Sequence, residues 1–215
     1  LPKKIREQYH LCEKNYALQN IHFPEDEEGF LLARQRLVFE ELYLLQLALF
    51  SMKEETMKGR SGIRLSPQPG RQEAEAQMPF SLTQAQRKVL GQIEEDFVSG
   101  RVMNRLVQGD VGSGKTILAF LALLMCAANG RQGCLMAPTE VLANQHYEAL
   151  RELTDRYGLC IRPALLTGSL TAAQKRKIYE RIASGSVNVA VGTHALIQEK
   201  VIWQDLALVV TDEQH

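Results

Sequence analysis

The chain has 215 residues, enough for one domain of ordinary size with an appendage, or for two small domains. Apolar residues make up 45% of it and charged residues 23%, which suits a globular protein with a sizeable core, and the formal net charge is zero. Total charge therefore gives no reason to expect a nucleic-acid partner, and any basic surface has to be local. No stretch reaches about eighteen uncharged apolar residues, so no membrane span is expected. Cys12, Cys126, Cys134 and Cys160 form no C-x-x-C and no zinc spacing. They read as reduced, structural thiols of a cytoplasmic protein.

Residues 1–29 are mixed and polar, with an acidic run at 25–28 before Gly29. A helical pattern follows over 30–57. In it Val38, Leu42, Leu45, Leu49 and Met52 recur in steps of four and three on one face, which predicts a packing helix. Gly59, Gly62, Pro67, Pro69 and Gly70 then punctuate a polar stretch that reads as a linker or exposed loop. The expected boundary lies near residue 78. This gives a connector at 1–29, a long helix and loop at 30–78, and a main domain at 79–215.

From there the rhythm alternates. Helices are predicted at 81–99, 115–128 (ended by Asn129-Gly130), 140–157 (before Gly158) and 171–184 (before Gly185). Strands are predicted at 105–108, 134–137, 164–166, 187–191 and 206–210. The fold class is therefore α/β, with a mostly parallel sheet covered on both faces and preceded by a helical segment. Ligands of such sheets bind beyond the carboxyl ends of the strands.

Gly109-Asp110-Val111-Gly112-Ser113-Gly114-Lys115-Thr116 fits G-x-x-x-x-G-K-[ST] between a predicted strand and helix. At average usage, about one chain of this length in a hundred shows the pattern by chance, and the strand–helix context lowers that further. Its glycines let the backbone curl so that successive N–H groups face phosphate oxygens, and the helix dipole favours anions there. Lys115 supplies a point charge for the outer phosphates and Thr116 a hydroxyl for magnesium. The expected cofactors are ATP and Mg2+. The apolar strand at 206–210 runs into Asp212 and Glu213. Beside the first strand, Asp212 would help to hold magnesium and Glu213 would polarise the attacking water.

Taken in order, these segments resemble the RecG family of superfamily-two DNA translocases. Leu106-Val107-Gln108 with the loop is similar to that family's motif I. Ala137-Pro138-Thr139-Glu140 with Leu142-Ala143-Asn144-Gln145-His146 is similar to motif Ia. Leu166-Thr167-Gly168-Ser169 and Gly192-Thr193-His194-Ala195-Leu196 resemble two further DNA motifs. Asp212-Glu213-Gln214-His215 has the D-E-Q-H form of motif II. Pro79-Phe80-Ser81-Leu82-Thr83-Gln84-Ala85-Gln86 resembles the Q motif.

The resemblance implies a RecA-like motor domain with Phe80 and Gln86 at the nucleotide base. It also implies DNA contacts from Thr139, Thr167, Gly168, Ser169, Thr193 and His194. Branched or forked duplex DNA is the implied partner, as are a second RecA-like domain and a wedge domain of the same full-length chain. Arg36-Leu37-Val38-Phe39-Glu40-Glu41-Leu42 and Ile21-His22-Phe23-Pro24 are similar to the family's segment joining wedge to motor, so 1–29 would end the wedge-type domain.

The residues carry plainer readings too. Thr83 and Gln86 fit a helix capping box, and Thr139 fits an N-cap. Lys175, Arg176, Lys177 and Arg181 fit a solvated helix face. Rival functions are another double-strand DNA translocase of the transcription-repair coupling type, or a P-loop kinase or ATPase not acting on DNA. The chain begins at Leu1 and stops at His215 within a motif, so both ends are expected to be cuts. Such a piece is expected to bind nucleotide weakly and to hydrolyse it poorly.

Overall fold

In a computed structural model, residues 1–57, 62–77, 81–110 and 112–213 are described. The chain forms two compact units, Leu1–Arg60 and Ser61–His215. The first holds α1 (Lys3–Gln8), α2 (Lys14–His22) and the long α3 (Glu27–Met57). Asp26 accepts the Gly29 backbone N–H at 2.6 Å, which fixes the start of α3 ahead of the predicted residue 30. Helix α2 packs on α3. Its Ala17 and α3's Ala33 are fully buried, small side chains that let two helices approach. The predicted apolar line is not the buried one: Val38, Leu42, Leu45, Leu49 and Met52 are all exposed. Burial on α3 falls instead at Ala33 and Arg36, where α2 supplies the opposing surface.

The second unit begins earlier than the boundary expected near 78, because the stretch read as a linker is built into the fold. Gly62 and Leu65 donate their backbone N–H groups to Gly100 and Phe97. Asn129 brackets Ser66, donating to its carbonyl at 2.7 Å and accepting its N–H at 2.9 Å. A helix not foreseen, α4 (Gln68–Gln77), then crosses the helix that follows the phosphate loop. Pro69 sits in its first turn, where a missing N–H costs nothing. A Cβ on Gly70 would lie 2.5 Å from the Met125 Cα, so the close crossing requires glycine.

Beyond α4 come α5 (Gln84–Ser99), α6 (Lys115–Ala128), β1 (Gln132–Met136), α7 (Glu140–Tyr157), β2 (Pro163–Leu166), α8 (Ala172–Ala183), β3 (Val189–Gly192), a short 3-10 turn (His194–Ile197) and β4 (Leu206–Thr211). The strands form a parallel sheet in the order β2-β3-β1-β4. Alternating residues feed two cores. Leu135, Val189, Val191 and Leu208 face α5 and α6, whereas Cys134, Ala190, Ala164 and Leu166 face Ile182 of α8 and the turn at Ala195–Leu196. Helix α6 buries nearly all of its length, including Leu121, Leu123, Leu124 and Met125. At roughly 1.5–3 kcal/mol for each large apolar side chain, it is the main anchor of this face.

The segment 105–108 makes no strand. Leu106 is exposed, and the motif II strand β4 pairs with β1 rather than with this segment. Extended backbone becomes a strand only against a ladder partner, and among the described residues this segment has none. Among the described residues, no helix is long and apolar enough to cross a membrane.

Candidate functional site

The register brings the carboxyl ends of all four strands into line. Met136 lies beside Gly192 and Thr211, and Gly192 lies beside Leu166. The ladder runs one residue further, with Asp212 N–H donating to the Met136 carbonyl and Ala137 N–H to Gly192. The segments at 137–140, 167–169, 193–194 and 212–213 therefore leave one edge of the sheet together. Gly192 is needed for this alignment, since a Cβ there would lie 2.0 Å from the Leu166 carbonyl oxygen.

The loop ahead of α6 curls through two left-handed residues, Gly112 (φ 80°) and Gly114 (φ 81°), a conformation open to glycine. Lys115 Nζ donates to the carbonyls of Gly109 (2.6 Å) and Asp110 (2.9 Å), so the ammonium lies inside the curve of the loop. Thr116 is exposed in the first turn of α6. Gln86 joins this loop to α5. Its Oε1 accepts the Thr83 N–H and Thr83 Oγ1 accepts the Gln86 N–H, the reciprocal cap foreseen from the sequence. Its Nε2 donates to the Ser113 carbonyl at 2.9 Å, a contact the spacing did not reveal. Phe80 and Val111, assigned to nucleotide binding, and Gln214 and His215 lie outside the described residues.

At the end of β4, His146 Nε2 meets Asp212 Oδ2 at 2.7 Å. The same imidazole stands edge-on to Phe120, with ring centroids 6.4 Å apart. His146 therefore connects Phe120 of the phosphate-loop helix to the acid after β4, and Thr116 lies one turn before Phe120 on that helix. Thr116 and Asp212 carry hard oxygen donors of the kind magnesium takes, one or two from protein and the rest from phosphates and water. Among the described residues no three His, Cys, Asp or Glu side chains form a group that could hold a metal ion by themselves. Glu213 follows with φ 52°, a left-handed backbone rare outside glycine and concentrated at functional sites.

Across the sheet, Thr139 caps α7, its side chain accepting the Leu142 N–H at 3.2 Å. Glu140 Oε1 accepts the Ser169 N–H at 2.9 Å, and Lys175 Nζ donates to the Gly168 carbonyl at 2.6 Å. The hydrogen bond from Ser169 holds the Glu140 carboxyl below the ordinary glutamate range. Thr167, expected to contact DNA, is buried at 1% exposure and pairs with the Ser169 hydroxyl at 3.1 Å. It braces the turn; Gly168 and Ser169 are the residues presented. Thr193 is half-buried and His194 is exposed at the start of the 3-10 turn. Glu140 and His146 entered the sequence reading only as members of the motif Ia resemblance, and Lys175 only as part of a solvated basic helix face. None was given a partner, and spacing alone does not show these contacts.

A phosphate loop opening a helix, with an acid pair at the carboxyl edge of a parallel sheet, defines a RecA-like nucleotide-binding domain of the helicase type. The DEAD/DEAH box helicase family model matches residues 83–215, well over half of the chain, and the chain belongs to that family. Over its whole length it is 46% identical to the ATP-dependent DNA helicase RecG of Synechocystis sp. and 43% identical to that of Bacillus subtilis. It covers 26% and 31% of those proteins, and so spans between a quarter and a third of these relatives. A solved structure of RecG bound to a three-way DNA junction matches the whole chain at TM-score 0.83 and 40% identity, over 29% of that chain. The helicase MrfA, 17% identical and at TM-score 0.53 over 67% of this chain, shares the fold.

Proposed function

We propose that this chain is the first motor domain of an ATP-dependent DNA helicase that remodels branched duplex DNA, such as stalled forks and recombination junctions. The observation that carries the reading is a curled loop opening α6 around the Lys115 ammonium in a domain whose parallel sheet ends at Asp212, held by His146. The whole-length similarity to RecG proteins supports the choice of DNA over other P-loop substrates.

In this reading the backbone N–H groups of 109–114 and Lys115 hold the phosphates of ATP, and Gln86 approaches the base while bracing the loop through Ser113. Thr116 and Asp212 would hold Mg2+, which neutralises charge on the phosphates when bound. Glu213 takes the proton of the attacking water. Thr139, Gly168, Ser169, Thr193 and His194 face the DNA backbone. Contacts of that kind are insensitive to sequence and weaken with salt. A second RecA-like domain and a wedge domain of the full-length protein complete the cleft and the grip on the junction, in the cytoplasm.

The test is ATP-driven separation of a labelled three-way junction by the full-length protein. Unwinding by the wild type, absent in Lys115→Ala despite normal junction binding, supports the reading. A wild-type protein that binds the junction but never separates it with ATP would overturn it.

A further inference from the structure

Asp212 does not stand alone at the edge of the sheet. Its Oδ2 is 2.7 Å from His146 Nε2, and the imidazole is only 12% exposed, held by the edge-on contact to Phe120. An ionised carboxylate only accepts hydrogen bonds, so the Nε2 of His146 carries the hydrogen. One oxygen of Asp212 is thereby committed and the rotation of the carboxylate is fixed, leaving Oδ1 as the oxygen to turn outward. Groups that hydrogen-bond a metal-binding carboxylate set its aim, and their loss typically weakens metal binding about ten- to a hundredfold.

The helix that carries His146 has a second attachment. Six residues earlier, Glu140 grips the Ser169 N–H in the turn after β2, and α7 packs on β2 and β3 between the two points. From this arrangement we propose that His146 is the positioning residue of Asp212, aiming its free carboxylate oxygen at the magnesium of the bound nucleotide, and that α7 makes this aim depend on the turn at Gly168–Ser169. The proposal rests on the site reading given above.

The experiment uses the full-length protein and a fluorescent ADP analogue, titrated with magnesium in the absence and presence of junction DNA. Four proteins are compared: wild type, Asp212→Asn, His146→Leu, which fills the space against Phe120 without a donor, and His146→Gln, which restores an N–H. Thermal melting monitors folding. His146→Leu should need at least about tenfold more magnesium for half-maximal binding. His146→Gln should return to within about threefold of wild type, and nucleotide binding in EDTA should match wild type in both. Junction DNA should lower the magnesium requirement of the wild type and leave that of His146→Leu unchanged.

A His146→Leu protein with the wild-type magnesium curve, beside a shifted Asp212→Asn, overturns the proposal and leaves the site reading intact. So does a loss of nucleotide binding that is the same with and without magnesium. If Asp212→Asn itself leaves the magnesium curve unmoved, the site reading fails and this proposal with it. A His146→Gln protein that folds but behaves as His146→Leu also counts against it, because the donor would then not be the operative feature.

Discussion

Glu140 Oε1 accepts the backbone N–H of Ser169 at 2.9 Å, so a carboxylate at the start of one helix occupies a donor on the turn proposed to face DNA phosphate. Lys175 answers from the other side through the Gly168 carbonyl, which makes the turn a place where one negative and one positive charge meet.

Removing the negative charge alone should strengthen phosphate binding. Glu140→Gln keeps an acceptor for Ser169 while deleting the charge. Affinity of the full-length protein for duplex DNA should rise about threefold at low ionic strength, with the gain fading as salt screens the site. Fluorescence anisotropy at two salt concentrations measures it. An unchanged affinity at low salt would remove this turn from the DNA interface.

The same pair has a defined pH dependence. Ser169 depresses the Glu140 carboxyl below its ordinary value of 4.5, so the interaction favours the folded state above that value and is lost as pH falls through the lower, folded value. The difference in melting temperature between wild type and Glu140→Ala should therefore be constant from pH 6 to 8, about the range in which both states are ionised, and shrink in acid. A difference that grows on acidification would contradict the assignment.

Gln132 is a buried amide with three backbone partners: it donates to the carbonyls of Ile182 and Val187 at 2.9 and 2.7 Å and accepts the Asp205 N–H at 2.9 Å. Gln132→Leu removes all three bonds. The Ile182 carbonyl keeps the Gly185 N–H, but the Val187 carbonyl and the Asp205 N–H lose the amide, and the loss should cost on the order of 3 kcal/mol. Urea unfolding followed by Trp203 fluorescence reads the loss directly. A cost near zero would mean that water replaces the amide.

Burial pushes the thiols of Cys126 and Cys134 up to about 12. Cys160 is exposed. Since the thiolate is the reactive form, iodoacetamide should label Cys160 in the folded protein and leave the buried pair until denaturant is added. Peptide mass mapping checks the order of reaction.

Much of this was readable from residue order, for identifiable reasons. Helix α6 is apolar on every side and follows a glycine-rich loop, so both its burial and its loop were evident. Thr83 with Gln86, and Thr139 ahead of α7, announced their caps by spacing. The failures share a cause. A strand at 105–108 depends on a partner that its own residues do not encode. The apolar line on α3 has helical spacing, yet α2 packs on another face of that helix, at Ala33 and Arg36, while α4 hides behind Pro69, which its first turn tolerates. Contacts such as His146 with Asp212, 66 positions apart, arise only when the sheet register aligns its carboxyl ends.

If Lys115 and Asp212 form the proposed ATP site, turnover in the full-length protein answers to branched DNA. The most direct measurement is the ATPase rate of the full-length protein, wild type and Lys115→Ala, with and without a synthetic fork or four-way junction. Strong stimulation by the junction is expected in the wild type, and its loss in Lys115→Ala. Turnover indifferent to any DNA would contradict the proposed function.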